Sequence, residues 1–417
     1  MSSSPDVLIV GAGLAGLCCA RLLHEKGITF QILEAADGIG GRVRTDEVDG
    51  FLLDRGFQVL LTAYPEAKQV LDYSRLDLKP YAHGALSWYA GRMNRLADPW
   101  RTPGMWWKAI RSEFGSLSDK VRLAVLRRKL QRTSINDIFH HTERTTKDAL
   151  VSLGFSKEMI HRFFRPFLGG ILLDGELQSS SRMFEFVFKM LSEGDSAVPA
   201  RGMGAISLQL AEKLPAGSIR LNTHVDSLHE SEVTLAAGEK QRARAIVVAA
   251  EGPAAAHLIG EVEPASRSVT CFYYSADEPP LAEPLLVLNG DGAGPVNNFS
   301  VISQVAPSYA PRGKHLISVT VLGTQALTEV QLGGFIIAQM KNWFGKVAST
   351  WQLVRSYRIA HAQPQQLPGS LEPPQRAVRM RPGVYVCGDH RDNASIQGAM
   401  VSGRRAAEAV LSDLARS

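Results

Sequence analysis

The clearest hydrophobic pattern of the chain lies between Asp6 and Glu34. Four apolar residues, Val7 to Val10, end at a glycine, which is typical of a strand buried on both faces of a parallel sheet. Apolar residues then recur at helical spacing from Leu14 to His24 and predict a helix. A second apolar run, Thr29 to Leu33, predicts another strand. The pattern therefore predicts a strand–helix–strand unit within a parallel sheet.

Later apolar runs predict further strands. Arg244–Ala250 and Gly383–Cys387 are short, continuous apolar runs and indicate buried strands. Ser268–Tyr274 has alternating polarity, and His315–Val321 is the clearest strand in a region that Gly and Pro interrupt. These last two segments suit an antiparallel sheet.

Three later segments predict helices of different character. Ser118–Arg132 mixes a few apolar residues with many basic ones, and Ser395–Leu411 is a glycine-containing helix. Ser181–Leu191 is apolar nearly all round, so we expect it to be buried or to line an apolar cavity. Packing in the core is sufficient to explain most of the apolar side chains of this segment. Its density of Phe and Met also suggests a large, lipophilic substrate, with Phe184 and Phe188 as candidate contacts.

The link between the first strand and the first helix has the spacing G-x-G-x-x-G, formed by Gly11, Gly13 and Gly16. Gly11 permits a tight turn, Gly13 lets backbone N–H groups approach a pyrophosphate, and Gly16 lets the helix pack closely on the strand. The helix N-terminus adds partial positive charge. Glu34 can accept hydrogen bonds from a ribose and would repel a 2′-phosphate. The unit predicts FAD or NAD and disfavours NADP; a βαβ unit that only packs is the alternative.

A second glycine-rich loop follows Glu34. Gly40 and Gly41 precede Arg42, whose guanidinium suits a phosphate bound by two hydrogen bonds. A solvated arginine in a surface turn is the alternative. The stretch 53–61, LDRGFQVLL, then carries an Asp-x-Gly pattern. This combination resembles the flavin-containing amine oxidase and phytoene desaturase superfamily, which includes protoporphyrinogen oxidase.

The resemblance spans the whole chain and implies a noncovalently bound FAD. The covalent flavin cysteine of some amine oxidases has no counterpart, because Cys387 lies within a predicted strand. The residues expected at the cofactor, from the glycine pattern and from the resemblance, are Gly11, Gly13, Ala15, Gly16, Glu34, Ala35, Gly40, Gly41, Arg42, Gly56, Phe57, Gln58, Val225, Gly388, Asp389, Ala399 and Met400.

Several of these positions have roles that the resemblance implies. The backbone of Val225 would clamp the adenine, and Gly56, Phe57 and Gln58 would lie beside the isoalloxazine ring. Asp389 would bind the ribityl chain or the pyrophosphate. The helix after it would direct its N-terminal dipole at the flavin pyrimidine and stabilise negative charge there.

The expected fold is α/β, with a Rossmann-like FAD-binding domain and a substrate domain built of a mixed or antiparallel sheet plus helices. We expect the FAD-binding domain to be discontinuous and to comprise residues 1–80, 198–265 and 355–417. The substrate-binding domain would then comprise residues 81–197 and 266–354.

The sequence predicts an FAD-dependent oxidoreductase of the desaturase or dehydrogenase type, because flavin carries the redox chemistry itself. Its substrate would be a lipophilic small molecule of isoprenoid- or tetrapyrrole-like structure, and O2 or a quinone would be the electron acceptor. An amine oxidase that produces H2O2 is the first alternative, and Lys314 is the only lysine near the position that such enzymes often use. A redox-neutral FAD-dependent isomerase is the second. Gln363 and Asn298 are polar candidates near the substrate; catalytic side chains are not assigned.

Composition restricts the class of protein and the cellular compartment that we expect. The 417 residues are 45% hydrophobic and 21% charged, which is ordinary for a globular chain of two or three domains. The four cysteines, Cys18, Cys19, Cys271 and Cys387, show no metal-type spacing, so we expect a reducing, cytoplasmic compartment and no metal site. We also expect no signal peptide and no membrane-spanning segment.

A tryptophan-rich and basic region separates the first two parts of the chain. PWRTPGMWW at 99–107 precedes the basic helix Ser118–Arg132. A packed tryptophan cluster beside a solvated helix is the preferred interpretation, and a peripheral membrane contact is the alternative. We expect no nucleic-acid partner, because no recognised binding module accompanies the charge.

Overall fold

A computed structural model describes residues 4–97 and 115–416 of the chain. Trp100, Trp106 and Trp107, on which the membrane hypothesis partly rests, lie outside the described residues. In the described ranges, no helix is both long enough and apolar enough to cross a bilayer.

Each of the six predicted runs contains or overlaps a strand, and the described part of the chain has further strands that were not predicted. In chain order the strands are β1 Val7–Val10, β2 Phe30–Leu33, β3 Thr45–Val48, β4 Phe51–Asp54, β5 Leu60–Leu61, β6 Leu78–Pro80, β7 Gly84–Tyr89, β8 Arg92–Ala97, β9 Ser196–Pro199, β10 Ile219–Arg220, β11 Val225–His229, β12 Glu232–Leu235, β13 Lys240–Arg242, β14 Ala245–Val248, β15 Ser266–Ala276, β16 Leu286–Asn289, β17 Val296–Val301, β18 His315–Leu322, β19 Gln352–Pro364, β20 Arg379–Arg381 and β21 Val384–Val386.

The α-helices of the described residues include the four predicted ones and ten others. They are α1 Leu14–Glu25, α2 Pro65–Val70, α3 Tyr73–Leu76, α4 Leu117–Arg132, α5 Ile135–His140, α6 Thr146–Ser152, α7 Lys157–Met159, α8 Arg165–Leu172, α9 Ser181–Glu193, α10 Gly204–Ala211, α11 Gly252–Ile259, α12 Ile302–Val305, α13 Glu329–Phe344 and α14 Ile396–Leu414.

A six-stranded sheet contains the strand–helix–strand unit at the N-terminus. Its strand order is β10-β2-β1-β14-β21-β20, and every pair is parallel except β20 with β21. The predicted parallel sheet is confirmed. Helices α1 and α14 lie in close contact on it, since a Cβ at Gly403 would lie only 2.1 Å from Ala15 O.

A seven-stranded sheet of order β19-β15-β18-β17-β16-β7-β8 forms the second layer. It is mixed, because β16 and β7 are parallel while the other neighbours are antiparallel. Phe272 and Tyr274 on one face pack with α13, whereas Cys271 and Tyr273 point to the main core on the other. This alternation is the expected result of the two-residue period of a strand.

The predicted division into two domains stays a prediction, with one correction. The boundary expected at residue 355 falls inside β19, which runs from Gln352 to Pro364 within the seven-stranded sheet. Long pairing with β15 holds β19 in that sheet. The C-terminal end of β19 therefore extends from the seven-stranded sheet towards the six-stranded sheet.

Candidate cofactor and substrate site

One cavity of about 1010 Å³ runs between the two layers. Such a volume lies at the upper end of the range of roughly 300–1,000 Å³ that is usual for one ligand, so it has room for a cofactor and a substrate. One end, which we call the nucleotide end, is lined by the glycine-rich loops, Glu34, Val225 and Asp389. The other, the apolar chamber, is lined mainly by aromatic and aliphatic side chains, among them Tyr64, Tyr81, Leu123, Phe163, Phe167, Ile171, Val187, Phe188 and Leu191.

The three glycines of the first loop meet different surroundings. Gly11 has a φ of +108°, and a Cβ there would lie 2.8 Å from Ala249 O. A Cβ at Gly16 would lie 2.1 Å from Gly11 O, which makes Gly16 a packing residue that does not line the cavity. A Cβ at Gly13, in contrast, would meet nothing within 4 Å. The open space beside Gly13 belongs to the cavity.

The N-terminus of α1 faces this space. Its N-cap is Gly13, and no side chain caps it. Because the first N–H groups of a helix have no partner within the helix, they are suited to bind an anion. Leu14 and Ala15 line the cavity, and Gly40 is held beside them because its N–H donates to Ala12 O at 2.9 Å.

Glu34 is buried at the end of β2, with its carboxylate held by two backbone groups. Its Oε2 accepts the N–H of Ala12 at 2.6 Å, and its Oε1 accepts the N–H of Ala36 at 2.8 Å. Ala35 and Val225 line the same end of the cavity. The carboxylate is thus oriented before any ligand arrives and keeps lone pairs for further donors.

Arg42 and Asp389 form an ion pair in the wall of the nucleotide end. Arg42 Nη2 lies 2.7 Å from Asp389 Oδ1, and Arg42 Nη1 donates to Ala362 O at 2.8 Å. Asp389 follows β21, after Gly388, whose N–H donates to Ser402 Oγ at 3.0 Å. Three segments that are far apart in sequence therefore meet at this guanidinium.

The Asp-x-Gly segment lies where the nucleotide end meets the apolar chamber. Gly56, with a φ of +91°, Phe57 and Gln58 all line the cavity. Gln58 Nε2 donates to Arg42 O at 2.7 Å and to Arg55 O at 3.0 Å. Two carbonyl acceptors therefore fix the orientation of the amide.

The expectations for the last helix need one correction. Ser395 is the N-cap of α14, accepts the N–H of Gly398 at 3.0 Å and lines the cavity together with Ala399. Met400 does not line it. Its side chain is fully buried in the main core, because the next position on a helix points away by about 100°.

Of the two phenylalanines proposed as substrate contacts, only one reaches the cavity. Phe188 is half-buried and lines the apolar chamber with Val187 and Leu191. Phe184 is fully buried and outside the lining, because its ring packs between those of Phe164 and Phe188. The candidate contact Phe184 is therefore a core residue.

The two polar candidates both line the cavity and both have partners in the protein. Asn298 Nδ2 donates to Thr320 Oγ1 at 3.2 Å, and Gln363 Nε2 donates to Ile171 O at 2.9 Å. Lys314 is exposed at a turn, where its Nζ lies 2.6 Å from Asp277 Oδ1, and it does not line the cavity.

Charged groups divide unequally along the cavity. Among the described lining residues, the carboxylates are Glu34, Glu251 and Asp389, all at the nucleotide end, and there is no lysine. In the same part of the chain, no group of three or more His, Cys, Asp or Glu side chains is arranged to hold a metal ion.

Sequence reasoning missed several lining residues. Arg127 and Leu123 on α4, which was expected to be a solvated basic helix, line the apolar chamber, and so does His83. His361 on β19 lines the nucleotide end. A mixed apolar and basic helix has no local signal that separates a chamber wall from a solvent-exposed face. These positions were therefore not accessible to pattern analysis.

The family model described as flavin containing amine oxidoreductase matches residues 14–411. Among curated proteins, the chain is 42% identical over 76 residues to putrescine oxidase of Kocuria rosea, which covers 18% of this chain and 16% of that protein. It is 49% identical over 45 residues to bovine amine oxidase [flavin-containing] B, or 11% of this chain and 9% of the relative. These matches thus span less than a fifth of the relatives' length.

Solved structures show the same fold over nearly the whole chain. A putative protoporphyrinogen oxidase from Exiguobacterium aligns with a TM-score of 0.72 and 16% identity, covering 98% of this chain and 99% of that one. Cyclohexylamine oxidase from Brevibacterium oxydans aligns with a TM-score of 0.73 and 17% identity, covering 99% and 100%. Reduced UDP-galactopyranose mutase gives 0.66 and 16% identity, covering 98% and 96%.

The predicted α/β fold is confirmed by these alignments. The match of the family model extends from the first helix to the last and includes both ends of the cavity. The chain therefore belongs to the flavin-containing amine oxidoreductase family.

Proposed function

We propose that the protein is an FAD-dependent desaturase or dehydrogenase that oxidises an apolar substrate. The observation that carries this proposal is the lining of the apolar chamber. Its described walls are mainly aromatic and aliphatic, with Arg127 and His83 among them, and contain neither a carboxylate nor a lysine. Such a surface favours a hydrocarbon skeleton, because burying apolar area contributes about 25 cal/mol per Å².

FAD fits the nucleotide end. The open space at Gly13 and the uncapped N-terminus of α1 suit a pyrophosphate, and the anchored carboxylate of Glu34 suits a ribose. Val225 would contact the adenine, and Gln58 and Ala399 the flavin ring. When bound, the flavin would supply the two-electron chemistry by taking a hydride from a substrate C–H bond.

The residues that line the cavity support noncovalent binding of FAD. No cysteine is among the described residues that line the cavity, and Cys387 is fully buried beside the end of β21. Burial raises the pKa of the Cys387 thiol well above its ordinary value and keeps it protonated. A protonated, buried thiol is a poor nucleophile for a flavin.

The residues of the apolar chamber would bind and orient the substrate and keep water away. Phe188, Phe163 and Tyr64 provide large surfaces, while Asn298 and Gln363 provide polar contacts near the junction with the nucleotide end. O2 or a quinone would then take up the electrons. A role for residues 100–132 in membrane contact stays a separate hypothesis.

An amine oxidase is the second candidate, supported by the names of the curated relatives and of cyclohexylamine oxidase. The position of Lys314 on an exposed turn gives it no support. A redox-neutral isomerase is the third, and its support is the fold similarity to UDP-galactopyranose mutase.

Anaerobic reduction of the purified holoprotein tests the three candidates together. FAD released by heat is first identified, and the flavin absorbance is then followed during addition of isoprenoids, reduced tetrapyrroles or amines. We expect bleaching by a member of the apolar set and none by benzylamine or putrescine. Flavin bleaching by an amine, followed by peroxide formation when O2 is admitted, would replace the proposal by the second candidate. Conversion of a substrate to product without any electron acceptor would replace the proposal by the third candidate, the redox-neutral isomerase.

A further inference from the structure

We propose that the outer face of α4 binds the surface of an anionic lipid bilayer. Such binding goes beyond the proposed function and does not rest on it, because it concerns where the protein is held and not which reaction it catalyses. The partner is the headgroup region of a membrane that contains acidic lipids. The outer face consists of six exposed residues, Leu117, Val121, Val125, Arg128, Lys129 and Arg132.

The outer face is one continuous arc of the helix. At about 100° per residue, its six residues fall within about 120° of the helix circumference. Leu117 is 64% exposed, and Val121 and Val125 are each 63% exposed. A single exposed apolar side chain is ordinary, whereas a contiguous group of them marks an interaction surface. The arc therefore calls for a partner outside the fold.

Packing fixes the rotation of α4 about its axis. Leu126 and Leu130 lie on the opposite side of the helix and are buried. Asp119 is also buried, and its Oδ1 accepts the N–H of Ser156 at 2.8 Å. Lys189 Nζ on α9 donates to Leu130 O at 3.2 Å. Because these contacts hold the inner side of α4 against the protein, the outer face is the side that stays open.

The charge of the outer face complements a negative surface. Arg128, Lys129 and Arg132 make no ion pair with a carboxylate in the described ranges. The single acidic residue of α4, Asp119, lies on the buried side. Each basic side chain near an anionic membrane surface contributes about 1 kcal/mol of binding free energy. Three unpaired cations on one face therefore favour acidic lipids over neutral ones.

Apolar and cationic side chains alternate around the outer face. In angular order, Arg128 lies between Leu117 and Val121, and Arg132 lies between Val121 and Val125. A partner must therefore accept apolar groups and positive charge at the same depth. The boundary between headgroups and acyl chains does so, because apolar side chains enter the acyl region while long basic side chains reach the phosphates.

Two further exposed apolar residues lie on a segment that contacts α4. Val151 in the last turn of α6 and Leu153 just after it are 58% and 36% exposed. The next residue, Gly154, lies against α4, because a Cβ there would lie 2.9 Å from Arg122 Nε. Of the twelve large apolar residues exposed in the described part, five are on α4 or on this segment. Exposed apolar surface is thus concentrated at one place on the protein.

The inner side of the same helix forms part of the apolar chamber. Leu123 on α4 and Leu191 on α9 both line it. An α-helix with its side chains is about 10 Å thick, so docking of the outer face would bring the chamber within about 10 Å of the bilayer. This arrangement suits an apolar substrate that is dissolved in the membrane.

Co-sedimentation of the purified holoprotein with lipid vesicles tests the proposal. One set of vesicles is phosphatidylcholine alone, and the other is a three-to-one mixture of phosphatidylcholine and phosphatidylserine. We expect the wild-type protein to bind the mixed vesicles about tenfold or more tightly than the neutral ones. Added salt should weaken binding to the mixed vesicles, because it screens the charges.

Two variants remove the two components of the outer face. Arg128→Gln, Lys129→Gln and Arg132→Gln together should weaken binding to the mixed vesicles by about a hundredfold, or about fivefold for each charge. Val121→Ser with Val125→Ser should weaken it by about tenfold, because less apolar area enters the acyl region. All five positions are exposed, so circular dichroism and bound flavin should match those of the wild-type protein.

Val330→Ser with Lys341→Gln is the matched control. It removes an exposed apolar residue and an exposed charge from α13, a helix of the same length, and should leave vesicle binding unchanged. An equal loss in the control and the α4 variants would overturn the proposal. So would wild-type protein that binds neither kind of vesicle, or both equally well.

Sedimentation velocity without lipid tests the other occupant, a second copy of the chain. We expect the wild-type protein and the α4 variants to have the same oligomeric state. An oligomer that Val121→Ser with Val125→Ser dissociates would assign the outer face to contacts between copies and overturn the proposal. Vesicle binding is measured without substrate, so its failure is distinct from failure of the proposed reaction.

Discussion

Arg42 Nη2 donates a hydrogen bond to Asp389 Oδ1 across 2.7 Å and so joins the second glycine-rich loop to the turn after β21. Both residues line the nucleotide end of the cavity. The pair holds together two segments that the proposed cofactor would contact at once.

Breaking this pair should cost both stability and flavin. Arg42→Ala leaves the buried Asp389 carboxylate without its charged partner. Because the Arg42 side chain is 30% exposed, we expect a loss of about 1–3 kcal/mol rather than the 3–5 kcal/mol of a fully buried pair. Urea unfolding of Arg42→Ala, Asp389→Ala and the double variant measures the coupling. Additive single effects would show that the pair does not act as a unit. Arg75→Ala, which removes an exposed pair with Glu212, is the control.

Two glycine substitutions in the first loop should have opposite consequences. Gly13→Val places its Cβ where the protein has nothing within 4 Å, so the fold should persist while FAD affinity falls by about tenfold or more. Gly16→Val places a Cβ 2.1 Å from Gly11 O and should destabilise the fold itself. Circular dichroism and the visible absorbance of bound flavin separate these effects. Full flavin content in Gly13→Val would contradict the placement of the pyrophosphate.

Phe184 and Phe188 form a second matched pair. Phe184→Ala removes a fully buried ring and should cost about 3–5 kcal/mol of unfolding free energy. Phe188→Ala changes the wall of the apolar chamber and should cost less stability but weaken the binding of apolar ligands. Urea unfolding and decanol titration provide the two measurements. If Phe184→Ala were the variant with normal stability and weak binding, the assignment would be reversed.

The buried Asp54 should make stability depend on pH. Its carboxylate accepts hydrogen bonds from Thr45 Oγ1, Met203 N–H and Tyr309 OH, but burial dominates and raises its pKa from 3.8 to about 6. Between these two values the folded state binds more protons than the unfolded state, so the contribution of Asp54 to stability falls as pH rises from about 4 to 6. Complete loss of this contribution would lower the unfolding free energy by about 3 kcal/mol.

Asp54→Asn isolates this contribution, because asparagine does not titrate. We expect the unfolding free energy of the wild-type protein, minus that of Asp54→Asn, to decrease from pH 4 to pH 6 and to stay constant above pH 7. Buried Asp392, whose pKa burial also raises to about 6, is present in both proteins and cancels in the difference. A difference that does not vary with pH would contradict the raised pKa of Asp54.

Lys314 gives a simple test of the amine-oxidase candidate. Its ammonium group is exposed and paired with Asp277, away from the cavity. Lys314→Ala should therefore leave the rate of anaerobic flavin reduction unchanged for whichever donor reduces the protein. A fall of about tenfold or more in that rate would show that the lysine acts in the site.

The sequence by itself determined the parallel sheet, the position of α1 and the residues of the glycine-rich loops, because these features depend on local spacing. A four-residue apolar run and glycines at fixed offsets restrict the backbone wherever they occur. The segment at Gly56 and the helix after Asp389 were also placed correctly at the cavity, through the resemblance to a family rather than through spacing.

Only the tertiary structure decided which side chains face the cavity. Phe184 and Phe188 are equivalent in sequence pattern, one turn apart on the same helix, yet one is enclosed by Phe164 and the other lines the chamber. Arg127 and Arg128 are likewise indistinguishable in composition, but packing of α4 on α9 turns only Arg127 inward. Periodicity defines which face of a helix is apolar, whereas contacts between elements distant in sequence decide what that face meets.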